Sequence, residues 1–103
     1  MSSYNELEMK VLRWAEARRI IPNATPMAQA AKTIEEVSEL VAAINANDVD
    51  AMRDAYGDIL VTLIIGSDLA NISLLQALEE AYETIKDRRG TLTAEGIFVK
   101  EIV

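Results

Sequence analysis

At 103 residues, with 17 acidic against 10 basic side chains and a net charge of −7, the chain is the size of one small domain. Its sign is wrong for a protein that rides on a nucleic-acid polymer or an anionic membrane. It has no Cys and no His, which excludes a disulfide framework and leaves carboxylates as the candidate metal ligands.

Ser3-Tyr4-Asn5-Glu6 has capping-box spacing and opens a first predicted helix, whose apolar positions Leu7, Val11, Leu12 and Trp14 recur at helical intervals until Pro22 ends it. Thr25-Pro26 supplies an N-cap with Pro in the first turn, and a second helix is expected from there to about Ala46. Asn47 and Asp48 break it, and a third helix covers roughly Val49 to Leu69. Ser73-Leu74-Leu75-Gln76 is another capping box, starting a fourth helix that Gly90 terminates after Lys86-Asp87-Arg88-Arg89. Thr91 to Val103 is too mixed for a helix and is expected to pair as a short strand or to wrap a neighbour. The longest apolar run, Ile59 to Gly66, lies between Asp58 and Asp68 and is too short to span a bilayer. The N-terminus lacks the basic and apolar regions of a signal peptide, so the expected compartment is the cytoplasm. With half its residues hydrophobic but few aromatic, the chain is expected to be all-α, a single four-helix bundle-like domain over 1–103 with a short extended C-terminal tail. Its small size gives oligomerisation as the expected means of covering apolar surface.

Five carboxylates, Glu35, Glu36, Glu39, Asp54 and Asp58, fall on the two middle helices. Ile34, Val37, Leu40, Val41 and Ile44 make an apolar stripe on the second helix, with Glu35, Glu36 and Glu39 on its other side. Alone that is an ordinary solvated face, but Ala42, Ala43 and Ala46 continue it with small residues that let a neighbour approach. Ile59, Leu60, Val61, Leu63, Ile64, Ile65 and Leu69 surround the third helix, which is therefore expected to be buried, with Asp58 partly buried alongside. Asp54 and Asp58 share a face and repel each other, so cations must be near. Lys32, Arg53, Lys86, Arg88 and Arg89 offer structural ion pairs; Mg²⁺, a hard ion that favours carboxylate and phosphate oxygens, is the preferred alternative. Gly57, unfavourable inside a helix, suggests the close approach of a helix or ligand there.

These residues resemble the MazG-like family of all-α nucleoside triphosphate pyrophosphohydrolases, with relatives among dimeric dUTPases, dCTP pyrophosphatases and phosphoribosyl-ATP pyrophosphohydrolase. Glu36 and Glu39 match its E-x-x-E element within Lys32-Thr33-Ile34-Glu35-Glu36-Val37-Ser38-Glu39-Leu40. Asp58 matches the last position of its E-x-x-D element in Asp54-Ala55-Tyr56-Gly57-Asp58, where Ala55 stands in place of the usual Glu and Asp54 is the substitute. Trp14 with Arg18-Arg19-Ile20, Gln29 before Lys32, Tyr82 to Gly90 and Gly96-Ile97-Phe98-Val99-Lys100 look like the short phage-type members.

The resemblance implies cleavage between the α and β phosphates of a nucleoside triphosphate, giving a monophosphate and pyrophosphate, with Mg²⁺ or Mn²⁺ held by Glu36, Glu39, Asp58 and Asp54. With no His, the candidate bases for a water nucleophile are Glu35, which is favoured, and Glu36. Lys32, Lys86, Arg89 and Lys100 are candidate phosphate contacts, Lys32 foremost; Trp14, Asn23 and Gln29 are candidates for the base or ribose, with Trp14 equally placed to be core. A homodimer or homotetramer is implied. The alternatives are a specialised dUTP, dCTP or phosphoribosyl-ATP pyrophosphatase, and a catalytically silent bundle that senses nucleotides or dimerises.

Overall fold

The computed structural model describes residues 2–101 and contains five helices and a two-stranded antiparallel hairpin: α1 (Tyr4–Ala17), α2 (Ile20–Asn23), α3 (Pro26–Asn45), α4 (Val49–Leu69), α5 (Leu74–Ile85), β1 (Gly90–Leu92) and β2 (Phe98–Lys100). The fold is all-α with a short extended tail, as the sequence implies. The N-caps expected at Ser3, Thr25 and Ser73 form, and Asp48, expected only to break a helix, caps α4 as well. The side chains of Ser3, Thr25, Asp48 and Ser73 accept from the backbone N–H three residues on, which satisfies one of the free donors at each helix start.

Two helix ends differ from expectation. The first helix stops at Ala17 rather than at Pro22, because Arg19 takes a left-handed conformation (φ 61°) and the chain turns irregularly through Ile20–Asn23. The last helix stops at Ile85, so Lys86–Arg89 lead into the hairpin instead of closing a helix. That hairpin pairs Gly90 with Lys100, Thr91 with Val99 and Leu92 with Phe98. Ile102 and Val103, the end of the expected tail, lie outside the described residues.

The centre of the molecule is the antiparallel pair α3–α4, joined through Ala46, Asn47 and Asp48, with Asn47 in the left-handed region (φ 53°). Its seam is fixed at the open end by Gly66, where an added Cβ would sit 3.1 Å from Gln29 Cβ. One turn further in, the hydroxyls of Thr33 and Thr62 meet at 2.7 Å. Buried Glu36 and Ala43 continue the line on α3, and buried Ala55 continues it on α4. Helical spacing adds the half-buried Leu40, Met52 and Ile59, so the facing rows are 29, 33, 36, 40, 43 and 52, 55, 59, 62, 66, which is coiled-coil-like packing. α1 lies against α4 and is anchored by fully buried Ala15.

Of the predicted apolar stripe Ile34, Val37, Leu40, Val41 and Ile44, expected on the side away from Glu36, Leu40 lies in the seam but Ile34, Val37, Val41 and Ile44 do not. Instead these four side chains are exposed, Ile34 by 70%, while Glu36 is 7% exposed in the seam. α4 is likewise not buried all round: Ile64 and Ile65 are covered, but Leu60 and Leu63 are exposed, and so is Asp58. The close seam of Ala43, Ala55 and Gly66 leaves the large apolar side chains on its flank, where nothing among the described residues covers them. No single helix among the described residues is long and apolar enough to cross a membrane.

Candidate active site

Helix geometry sorts the α3–α4 pair into two flanks. For antiparallel helices meeting along the rows above, Lys32, Glu35 and Glu39 fall on the same side of the seam as Asp54 and Asp58, each about 100° per residue from its neighbours. Ile34, Val37, Val41 and Ile44 fall on the opposite side, together with Tyr56, Leu60 and Leu63. The chain therefore has one acidic flank and one apolar flank, with Glu36 between them.

Glu36 is the chemically unusual residue of the acidic flank. Its Oε2 is buried and finds no hydrogen-bond partner among the described residues, and its other oxygen lies 3.7 Å from Lys32 Nζ. Burial raises the Glu36 carboxyl above its usual range, and the adjacent Glu39 raises it further; Lys32 opposes them. The Lys32 ammonium is held above its ordinary value first by Glu35, 3.5 Å away, then by Glu36 and Glu39 despite some desolvation. An unpartnered buried carboxylate oxygen is costly, and a cation relieves that cost.

Among the described residues no group of three or more acidic side chains gathers closely enough to hold a metal ion. Mg²⁺ does not require one, because it is usually held by one or two carboxylates together with water and substrate phosphates. The buried oxygen of Glu36 beside Glu39 therefore fits a hard divalent cation. Asp58 lies exposed on the same flank. Asp54, nominated as substitute for the missing glutamate, is exposed and one position round the helix from the seam. The seam position itself holds Ala55, only 4% exposed, which leaves no carboxylate pointing between the helices there.

Asp58 also lines a cleft of about 430 Å³ between α1 and α4, with Leu7, Lys10, Val11, Trp14 and Val61. The cleft thus unites Trp14 and Asp58, two residues nominated separately. Trp14 is 45% exposed, and the Arg18 guanidinium lies 4.5 Å from its ring centroid, so one face of the indole is occupied. The remaining nominated residues have other engagements. Gln29 packs in the seam against Gly66, and Asn23 Nδ2 donates to the Arg19 carbonyl at 2.9 Å. Lys86 pairs with Glu83, Arg89 with Glu101, and Arg53 with Asp50. Lys100 sits on β2, which packs on none of the helices. Lys10 was not nominated, although its position four residues before Trp14 places both on one helix face.

The fold is all-α and is built on a helical hairpin that buries the Glu36 carboxylate beside Glu39. The description of the MazG nucleotide pyrophosphohydrolase domain matches residues 24–92, which contain α3, α4, α5 and β1. The chain belongs to the MazG nucleotide pyrophosphohydrolase family. Over 65 residues it is 32% identical to an uncharacterised 18.2 kDa protein from the rep-hol intergenic region of Haemophilus phage HP1. That match covers 63% of this chain and 40% of the phage protein, so the chain spans less than half of that relative's length. No solved structure matches it.

Proposed function

We propose that the chain is a metal-dependent nucleoside triphosphate pyrophosphohydrolase that acts in the cytoplasm and cleaves between the α and β phosphates. The observation that carries this reading is the buried, unpartnered Glu36 oxygen beside Glu39 in a family of nucleotide pyrophosphohydrolases. Glu36 and Glu39 would hold Mg²⁺ or Mn²⁺, with Asp58 on the same flank and Asp54 as the outlying candidate. The bound cation supplies neutralisation of the phosphates and a water of lowered pKa.

The chain's own residues perform the rest. Glu35, exposed beside the pair, takes the proton of the attacking water, with Glu36 as the other candidate. Lys32 sits next to all three glutamates and turns from them to the incoming phosphate oxygens. Trp14 offers the free face of its indole to the nucleobase in the cleft that Asp58 borders, and Lys10 at the same cleft offers a donor. The exposed apolar flank supports a homodimer or homotetramer, because a patch of that extent on a monomer would meet water directly.

The test is pyrophosphate release from a panel of canonical and modified nucleoside triphosphates, with and without Mg²⁺. Removing an outer-shell partner of a metal ligand typically costs about 10–100-fold, so Glu39→Gln and Asp58→Asn should each lose more than about 100-fold. The same panel separates a general enzyme from a dUTP, dCTP or phosphoribosyl-ATP specialist. Release that persists in both variants would overturn the assignment. A second reading rests on Ala55: with the seam carboxylate missing, the chain would bind nucleotide and metal without turnover. Mg²⁺-dependent nucleotide binding by calorimetry, with no pyrophosphate from any substrate, would favour it.

A further inference from the structure

The C-terminal arm is not explained by the site. α5 leaves the end of α4 after a bend of 104°, and its twelve residues extend about 18 Å at 1.5 Å per residue. The hairpin beyond packs on none of the helices, and Leu92, Ile97, Phe98 and Val99 are all exposed. A two-stranded hairpin on its own is marginally stable in water. The radius of gyration is 16.3 Å, against roughly 13 Å for a compact domain of this length. The extended outline and the bare hairpin have one explanation if something outside this chain completes both.

We propose that the arm, residues 86–101, is a clasp between subunits, in which the Leu92–Phe98 face of the hairpin packs on the outer face of α3 in a second copy. This rests on the oligomeric reading above and specifies how the copies engage. Charge selects a second copy as the partner. Residues 86–101 carry four basic and three acidic side chains, whereas residues 1–85 carry six basic and fourteen acidic. Two such bodies repel, while the arm of one and the body of the other attract.

The shapes agree. The outer face of α3 has a cleft of about 380 Å³ lined by Thr33, Ile34, Val37, Ser38 and Val41, with no charge to desolvate. Leu92 and Phe98 are directly opposed across the hairpin and form a flat apolar pair. The Phe98 ring lies over Gly90, where an added Cβ would lie 2.5 Å from Phe98 Cζ and closer still to the Val99 carbonyl oxygen, so only glycine leaves the ring in place. Pairing of hairpins edge to edge is disfavoured, since Lys100 lies on the β2 edge and Arg88 and Arg89 enter β1, so two arms would bring like charges together.

Cross-linking of the full chain tests this, helped by the absence of native cysteine. Val41→Cys and Val99→Cys chains, one carrying a size tag, are mixed, allowed to exchange and treated with a flexible bismaleimide long enough to reach round the hairpin from Val99, which lies on the face away from Leu92 and Phe98, while sedimentation reports the oligomeric state. The expected result is an oligomer whose 41-to-99 heterocross-link falls at least tenfold on adding Phe98→Glu to the Val99→Cys chain. The turn substitution Ala94→Glu should leave the yield unchanged. Because the hairpin packs on no helix, Phe98→Glu should also leave the helical circular dichroism intact, so the loss would not report unfolding. An oligomer that gives only 41-to-41 or 99-to-99 products would overturn the clasp and leave the oligomeric reading standing. A monomer at all concentrations would overturn both.

Discussion

Glu36 shows how a single side chain combines cost and use. Its carboxyl is held above its ordinary value of 4.5, first by burial and then by Glu39, so the folded chain binds that proton more tightly than the unfolded chain does. The resulting stabilisation is complete below pH 4.5 and is lost as pH rises through the raised folded value. Without metal, Glu36→Gln should therefore raise the melting temperature by a few degrees at neutral pH, and the advantage should vanish on acidification. Added Mg²⁺ should reverse the order by protecting the wild type alone; thermal melts at two pH values with and without Mg²⁺ check both. The threonine pair is a second residue-scale device. Thr33 Oγ1 lies 2.9 Å from the Gln29 carbonyl and Thr62 Oγ1 2.8 Å from the Ile59 carbonyl, with 2.7 Å between the hydroxyls. Two hydrogens cannot fill three contacts, so one hydroxyl donates to the other and gives up its own carbonyl. Thr62→Val should cost about 1 kcal/mol, measured by urea denaturation, because it removes the cross-helix bond and keeps the volume.

At the scale of elements, α3 and α4 are set close by small seam residues, and their large apolar residues turn outward. Gly57 lies on α4 opposite the seam, where an added Cβ meets nothing within 4 Å. The close neighbour expected at Gly57 is therefore not found among the described residues. Gly57→Ala should stabilise the helix by roughly 0.5–1 kcal/mol, read from denaturant midpoints. Gly66 is the contrasting case, since a methyl there would press on Gln29 at 3.1 Å and push the open end of the pair apart.

For the whole molecule, exposure rather than burial is the main feature. Ile34, Val41, Tyr56 and Leu60 on the body, and Leu78 and Tyr82 on α5, remain open to water. Association that covers such surface links folding to concentration. The melting temperature should thus rise with protein concentration over the range in which sedimentation shows the oligomer forming; a melting temperature independent of concentration would contradict it.

The four long helices, the caps at Ser3, Thr25 and Ser73, and the spacing of Glu36 and Glu39 were legible in the sequence, because caps and motif spacing are local signals carried by neighbouring residues, whereas the short additional helix α2, Ile20–Asn23, was not. Nor was the facing of α3. Periodicity sums the apolar residues of a helix and points to where they would be buried, and in this chain Ile34, Val37, Val41 and Ile44 outvote the actual seam. Only the tertiary structure decided that Glu36 lies between two helices, that Ala55 rather than Asp54 occupies the seam position on α4, and that Trp14 and Asp58 share a cleft. Each depends on which helix faces meet. That choice is set by how closely small residues let the backbones approach, a property of pairs of helices that no single stretch of sequence contains.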